Sequence, residues 1–454
     1  MHAPTQAPTQ ISFTQALLFW LKLGFISFGG PAGQIAIMHQ ELVDRRRWIS
    51  ESRFLHALNF CNILPGPEAQ QLATYIGWLL HGRWGGFAAG VLFVLPSLFI
   101  ISGLAWLYLN HIQSPWVAAV FYALKPAVCA VVLHAVQRIG GRVLKTKLLW
   151  GIALLSFLAF SGLGVPFPWI LLVTALLGWV LGRQRPAWFN MGPAHIQRQS
   201  ADHAPAVIDD HTATPPHAQF SWARTIRTAA IGLVLWAAPL VALGVLLGWA
   251  NPLTHMARFF TQAALLTFGG AYAVLPYVFH AAVEQFQWLN ATQMLDGLAL
   301  GESTPGPLIM IVTFVGFLGA WQQQALGADH QVLAALLGAV TATWFTFLPS
   351  FLFIFLGGPV IEGARQQINL TAPLTAMSCA LVGMILNLAL FFTGHVVWPS
   401  GLADFNASTF MTGIDWTALA ILLLALTALI RFKRGVLELM AASALLGLAL
   451  HALG

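Results

Sequence analysis

Phe28-Gly29-Gly30, Trp48 and Pro65-Gly66-Pro67 recur later in the chain as Phe268-Gly269-Gly270, Trp288 and Pro305-Gly306-Pro307. The spacing is the same at all three marks, since 268−28, 288−48 and 305−65 each give 240. Marks kept in register over so long a span indicate one module present twice. Glycine pairs and a Pro-Gly-Pro cannot continue a helix: proline lacks the N–H and restricts the residue before it, and glycine is costly in a helix interior. Each module is therefore broken at matching places.

The medium around these breaks follows from composition. Of the 454 residues, 58% are hydrophobic and only 8% charged, and mean hydropathy is +0.75, too little polar surface to cover a soluble globule. Apolar stretches at 84–109, 116–137, 228–250, 332–356, 372–393 and 416–430, with shorter ones at 147–163, 166–182 and 435–453, predict about nine full spans plus re-entrant segments. The fold class expected is an all-α polytopic membrane protein. Its organisation reads as a tail (1–15), a first repeat (16–182), a linker (183–227), a connecting span (228–250) and a second repeat (251–454). Met1 to Gln15 has no Lys or Arg, unlike the basic start of a cleavable signal, so the first apolar segment is read as mature protein.

The linker is rich in proline and carries His195, His203, His211 and His217 at irregular spacing, which suits a solvated cytoplasmic connection better than a metal site. Cys61, Cys129 and Cys379 lie in apolar runs without CxxC spacing and are expected to be buried thiols. No metal and no cofactor is expected.

Basic loops act as a compass for membrane orientation. In the first half they hold Arg45-Arg46-Arg47, Arg83, Arg138, Arg142, Lys145 and Lys147. The counterpart of the first of these, His280 to Gln293, has no Lys or Arg; instead the second half puts Arg365 after its 332–356 span and Arg431, Lys433 and Arg434 between its last two spans. Alternate loops are marked in the two halves, so the halves are expected to be inverted repeats. The count closes if the broken segments enter and leave on one side and 228–250 supplies the odd crossing. A rival count makes 16–38 a full span, but it needs 228–250 not to cross although that run is as apolar as any.

Non-helical backbone at membrane depth must be buried in protein or line a watery passage. The breaks therefore belong at the centre, and the helices restarting at Pro67 and Pro307 offer unpaired N–H groups and positive dipole ends that favour an anion. The alternative is that the glycines serve only close helix packing. The substrate-site candidates are Phe28, Gly29, Gly30, Pro65, Gly66, Pro67, Gly269, Gly270, Pro305, Gly306 and Pro307, with the neighbouring Glu68, Gln70, Gln71, Glu302, Ser303 and Thr304. The carboxylates can carry protons, complete a cation site or cap a helix start; the neutral groups can hydrogen-bond an oxyanion without trapping it. Lys125, in the middle of Phe121-Tyr122-Ala123-Leu124-Lys125-Pro126, is either a cavity-facing cation or a lysine that snorkels to an interface.

Phe28-Gly29-Gly30-Pro31, the run from Leu64 to Gly77, and Gly301-Glu302-Ser303-Thr304-Pro305-Gly306-Pro307-Leu308 closely resemble the chromate ion transporter family. The resemblance covers about 16–137 and 259–393 and extends to Leu95-Pro96-Ser97, echoed by Leu348-Pro349-Ser350. It implies a multi-pass protein of the bacterial inner membrane that expels chromate and confers resistance. Short members of that family are half-length proteins working in pairs of opposite orientation. The second repeat departs at Ala271, where the first has Pro31, and in an insertion around Gln322 to Gln331.

The reading is a secondary transporter, not an enzyme, exporting a chromate-like or sulfate-like oxyanion across the lipid bilayer. Proton or counter-anion coupling, as in an antiporter, and a homodimer both stay open, and no nucleic acid is expected. A sulfate carrier is the alternative of the same class and a membrane scaffold or assembly subunit that of another. The chain has no G-x-x-x-x-G-K-[ST] run for ATP and no H-E-x-x-H or G-x-S-x-G for hydrolysis. The inversion is testable with single cysteines placed in Arg45–Ser52 and in His280–Gln293. An impermeant thiol reagent applied to whole cells is expected to label only the second loop, and equal labelling would refute the inversion.

Overall fold

At the Phe-Gly-Gly and Pro-Gly-Pro marks the helices stop and restart, at paired positions, whereas Gly85-Gly86, Gly140-Gly141 and Gly357-Gly358-Pro359 continue inside helices. The structure, a computed structural model, describes residues 11–28, 30–185, 188–189, 206–210, 212–213, 215–364, 371–399 and 411–453. The first repeat comprises α1 (Phe13–Ile26), α2 (Gly30–His39), a π-helical turn (Gln40–Arg45), α3 (Glu51–Ile63), α4 (Glu68–His111), α5 (Pro115–Val143), α6 (Lys147–Ser161) and α7 (Phe167–Gln184). After a connecting helix α8 (Trp222–Leu246) come α9 (Pro252–Leu265), α10 (Ala271–Phe279), a second π-helical turn (His280–Gln285) and α11 (Ala291–Ser303). A 3-10 turn (Leu308–Met310) leads into α12 (Ile311–Gln322), followed by α13 (Gln331–Ala364), α14 (Thr371–Val397), α15 (Trp416–Ile430) and α16 (Val436–Leu453).

The duplication reaches into irregular detail. Both π-helical turns and both third helices are offset by the same distance, 280−40 and 291−51 each giving 240. Ser50 and Asn290, again 240 apart, each cap the helix that follows by accepting the N–H three residues on, from Arg53 and Gln293. α4 is two helical segments meeting at a kink, where His81 and Gly82 have non-helical backbone; at the corresponding place in the second repeat the ten-residue neighbourhood predicted as an insertion separates α12 from α13.

The repeats interlock. α5 and α14 cross at the centre, α6 and α7 pack on α14, and α15 and α16 pack on α5. Each terminal hairpin thus leaves its own repeat and lies on the other. Small residues permit the approach: a Cβ on Gly178 of α7 would sit 2.6 Å from the Ala372 carbonyl oxygen, and one on Gly447 of α16 would overlap the Ala119 carbonyl. These two glycines are equivalents, since 447−178 and 436−167 both give 269.

Among the described residues seven helices, α4, α5, α7, α8, α13, α14 and α16, are long and apolar enough to cross a bilayer. The expected spans 147–163 and 416–430 form α6 and α15, which have 15 residues each and reach only about 22 Å, short of a hydrocarbon core of roughly 30 Å. Both are closed early by a turn into their hairpin partner. The described part of the linker is exposed at Arg183, Asp210 and Gln219 but is also tethered to the first repeat. Val207 and Ile208 donate their N–H groups to the carbonyls of Arg47 and Trp48, and Ser50 N–H donates to the Ile208 carbonyl. His217 Nε2 donates to the Trp78 carbonyl. Ile208 and Ala218 are buried because, unlike their polar neighbours, they gain by leaving water. The other three linker histidines lie outside the described residues. Cys61, Cys129 and Cys379 are free and buried, as expected.

Replacing Gly447 by Leu is expected to force α16 off α5 and lower stability by about 1–3 kcal/mol, the usual cost of overpacking. The measurement is the thermal unfolding midpoint in detergent, compared with Leu446→Ala on the same helix, which should change it little.

Candidate functional site

In Pro65-Gly66-Pro67 only the glycine has a backbone donor, because proline carries no N–H. Gly66 N–H donates to the carbonyl of Thr267, and Gly306 N–H donates to the carbonyl of Ser27, both at 2.7 Å. Ser27 and Thr267 immediately precede the two Phe-Gly-Gly breaks. Each Pro-Gly-Pro is therefore satisfied by the other repeat. The packing is crossed in the same way: a Cβ on Gly306 would lie 2.6 Å from Cβ of Ser97, and one on Gly66 would overlap the Ser350 hydroxyl. Both glycines also hold positive φ, +127° and +110°, which side-chain-bearing residues rarely adopt.

The two Phe-Gly-Gly breaks meet as well. A Cβ on Gly30 would lie 4.0 Å from the Tyr272 ring, and one on Gly270 would lie 3.9 Å from both Pro31 and Oε1 of Glu68. Four breaks converge. Helix restarts differ slightly from the sequence expectation: Pro67 and Pro307 are extended N-cap residues rather than members of the first turn, and Pro307 precedes a 3-10 turn. Gly29 lies outside the described residues.

Polar side chains crowd the breaks without exhausting their hydrogen-bonding capacity. Gln34 Nε2 donates to the Gly306 carbonyl at 2.6 Å, Gln71 Nε2 to the Pro65 carbonyl at 2.8 Å, and Gln70 Nε2 to the Thr74 hydroxyl at 2.9 Å. The Oε1 atoms of these glutamines and the hydroxyls of Ser27, Ser97 and Ser350 are buried with no partner among the described residues. Buried polar groups are normally paired, so such a concentration suits a polar guest. Glu68, the first residue of α4, has no hydrogen bond or ion pair among the described residues, whereas Glu302 accepts from Tyr272 Oη at 2.5 Å. Arg138, half-buried in α5, lies within electrostatic reach of Glu302 and Tyr272.

The candidates divide accordingly. Phe28, Gly30, Pro65, Gly66, Pro67, Glu68, Gln71, Gly269, Gly270, Pro305, Gly306 and Pro307 lie in or beside the breaks, with Gln70 and Glu302 in the adjoining turns. Ser303 and Thr304 turn their hydroxyls back to the Ala299 and Gly301 carbonyls. Lys125 is instead paired with Asp296 at 3.8 Å, nine residues before Pro305, roughly 13 Å along a helix. Sequence reasoning did not assign Ser97, Ser350, Gln34 or Arg138 to the site. The first two were within reach, because the Leu-Pro-Ser echo has the same repeat order as the breaks.

Paired repeats, crossed breaks and seven long apolar helices define an all-α, multi-pass membrane protein with its irregular backbone gathered at one place. The chain belongs to the chromate transporter family, which it matches over residues 14–179 and 254–448. It is 34% identical over 391 residues to the chromate transport protein of Pseudomonas aeruginosa, covering 84% of this chain and 82% of that one. To the chromate transport protein of Cupriavidus metallidurans it is 28% identical over 380 residues, with the same coverage. An uncharacterized transporter of Bacillus subtilis is 32% identical over 146 residues, 32% of this chain but 73% of its own, so a half-length relative exists. No solved structure matches.

Gly66→Val and Gly306→Val are each expected to lower transport at least tenfold, because Val meets both the positive φ and the opposing serine. Transport in vesicles, normalised to the amount of inserted protein, is the readout, with the exposed Leu333→Ala as control.

Proposed function

We propose that this protein is a secondary carrier that moves chromate outward across the bacterial inner membrane and so confers resistance. The observation that carries the reading is the convergence of four helix breaks from two repeats, with the unspent buried hydroxyls of Ser27, Ser97 and Ser350 around them. Family membership supports the substrate class. Helices starting at Gly30, Glu68, Ala271 and Leu308 turn N-terminal ends toward the breaks, a favourable field for an anion. The hydroxyls of Ser27, Ser97 and Ser350 can donate to an oxyanion without a fixed counter-charge, so the anion can leave again; the unpaired glutamine Oε1 atoms only accept, and take a hydrogen bond from water or from a protonated anion. Arg138 adds positive potential on the side of Glu302. Lys125 acts through its pairing with Asp296.

Energetics favours export. A dianion leaving a cell about 100 mV negative inside gains roughly 4.6 kcal/mol, enough for a gradient of about three decades without ATP. Glu68, unpaired beside Gly270, is the group placed to exchange a proton as the anion passes, and its neutralisation would ease an anion's approach.

Inverted membrane vesicles containing the protein are expected to take up labelled chromate faster as the lumen is made more positive, and vesicles without it are not. Sulfate in excess tests selectivity: undiminished chromate uptake identifies a chromate carrier, whereas equal competition makes sulfate the shared or native substrate. Uptake equal to that of empty vesicles would overturn the reading.

A further inference from the structure

The third helix of each repeat makes a buried polar contact with the last turn of the other repeat's long helix. Arg53 of α3 donates from Nη1 to Oε2 of Glu362, near the end of α13, at 2.8 Å, with the two side chains 10% and 1% exposed. Tyr75 of α4 donates its hydroxyl to the other oxygen of Glu362. On the opposite pair, Tyr108 near the end of α4 donates to Oδ2 of Asp296 on α11 at 2.9 Å, and Lys125 stands 3.8 Å from Oδ1. These are matching places. Repeat spacing carries Arg53 to 293, one turn from Asp296, and the 253-residue offset between Ser97 and Ser350 carries Glu362 to 109, beside Tyr108.

We propose that the two clusters are latches at the two ends of one passage, both closed in this structure and released in turn during a transport cycle. The inference rests on the carrier reading and adds the parts that would govern access. Two observations and the expected inversion of the repeats support it. Each cluster joins the two repeats, so relative motion of the repeats must break one or the other. In inverted repeats the matching places lie on opposite membrane faces, one with Arg45–Arg47 and the other with His280–Gln285. Finally, neither cluster is built for stability alone: Nε and Nη2 of Arg53 and Oδ1 of Asp296 are buried without a hydrogen-bond partner among the described residues. Desolvated, half-used charges raise the energy of the closed state, whereas well-packed apolar residues would hold the same helices at no such cost. A contact that must open and close gains from being so poised.

The test reads accessibility at the centre. A protein with Cys61, Cys129 and Cys379 changed to Ala and Ser97→Cys as its single thiol is probed with a small impermeant methanethiosulfonate in right-side-out and inside-out vesicles. Glu362→Gln is expected to raise labelling at least tenfold from the Arg45–Arg47 side, and Asp296→Asn to raise it similarly from the other. Increases from the same side, or from neither, overturn the proposal. Because Glu362→Gln leaves Arg53 buried without its partner, a second measurement avoids that loss. Arg53→Cys with Glu362→Cys, bridged by a short bis-methanethiosulfonate, should stop anion transport until a thiol reductant releases the bridge; undiminished transport while bridged overturns the latch. Labelling does not depend on which anion is carried, so a failed chromate assay with side-specific labelling would discard the substrate and keep the latches.

Discussion

Two hydrogen bonds of 2.7 Å, from Gly66 to the Thr267 carbonyl and from Gly306 to the Ser27 carbonyl, hold the architecture's most demanding region. An unpaired backbone group in an apolar interior costs several kcal/mol, and a Pro-Gly-Pro has no means of pairing its donor within its own helix. Here each repeat supplies the carbonyl the other lacks. The breaks can therefore exist at depth only because both repeats are present, and the same reciprocity extends to Ser97 under Gly306 and Ser350 under Gly66. The exchanged terminal hairpins reinforce it, since α6 and α7 cannot pack on α14, nor α15 and α16 on α5, unless the halves are joined face to face.

Symmetry in the backbone does not extend to chemistry. At the start of α4 the first repeat carries Glu68, Gln70 and Gln71; the residues 240 positions later are Leu308, Met310 and Ile311. Gln34, whose amide binds the Gly306 carbonyl, corresponds to Val274. The polar load of the centre therefore falls on the first repeat, while the second contributes Tyr272 and Glu302 where the first has Ala32 and Asn62. A common scaffold lets one repeat specialise in holding a polar guest and the other in packing around it.

Much of this was legible in the chain itself, because glycine and proline act locally. Pro65-Gly66-Pro67 breaks its helix as expected, while Gly85-Gly86 and Gly140-Gly141 stay helical, so the Phe-Gly-Gly break was marked by its repetition rather than by its glycines alone; composition placed the chain in a membrane. What escaped depends on contacts between distant segments. The exchange of hairpins is marked by close-packed glycines such as Gly178, Gly182, Gly383 and Gly447, indistinguishable in sequence from other glycines of apolar helices. Lys125 was visible as an isolated charge, but its partner Asp296 lies 171 residues away (296−125), on a helix whose placement sequence does not give. The linker reads as solvated from its proline and histidine content, and the two buried apolar residues that tether it, Ile208 and Ala218, are too few to stand out in the sequence.

α8 has no counterpart in either repeat, and its place between them has a consequence for assembly. Were the two repeats separate chains, they would have to find one another by diffusion in the bilayer, and the fraction assembled would rise with their abundance. A covalent bridge turns that encounter into an intramolecular one at high effective concentration. Assembly then becomes independent of expression level, and the ratio of the two repeats is fixed at one to one. Substitutions that would be ruinous in a self-pairing half, because they would appear in both copies, become tolerable when confined to one. The contrast between Gln70 and Met310 at the centre is of this kind.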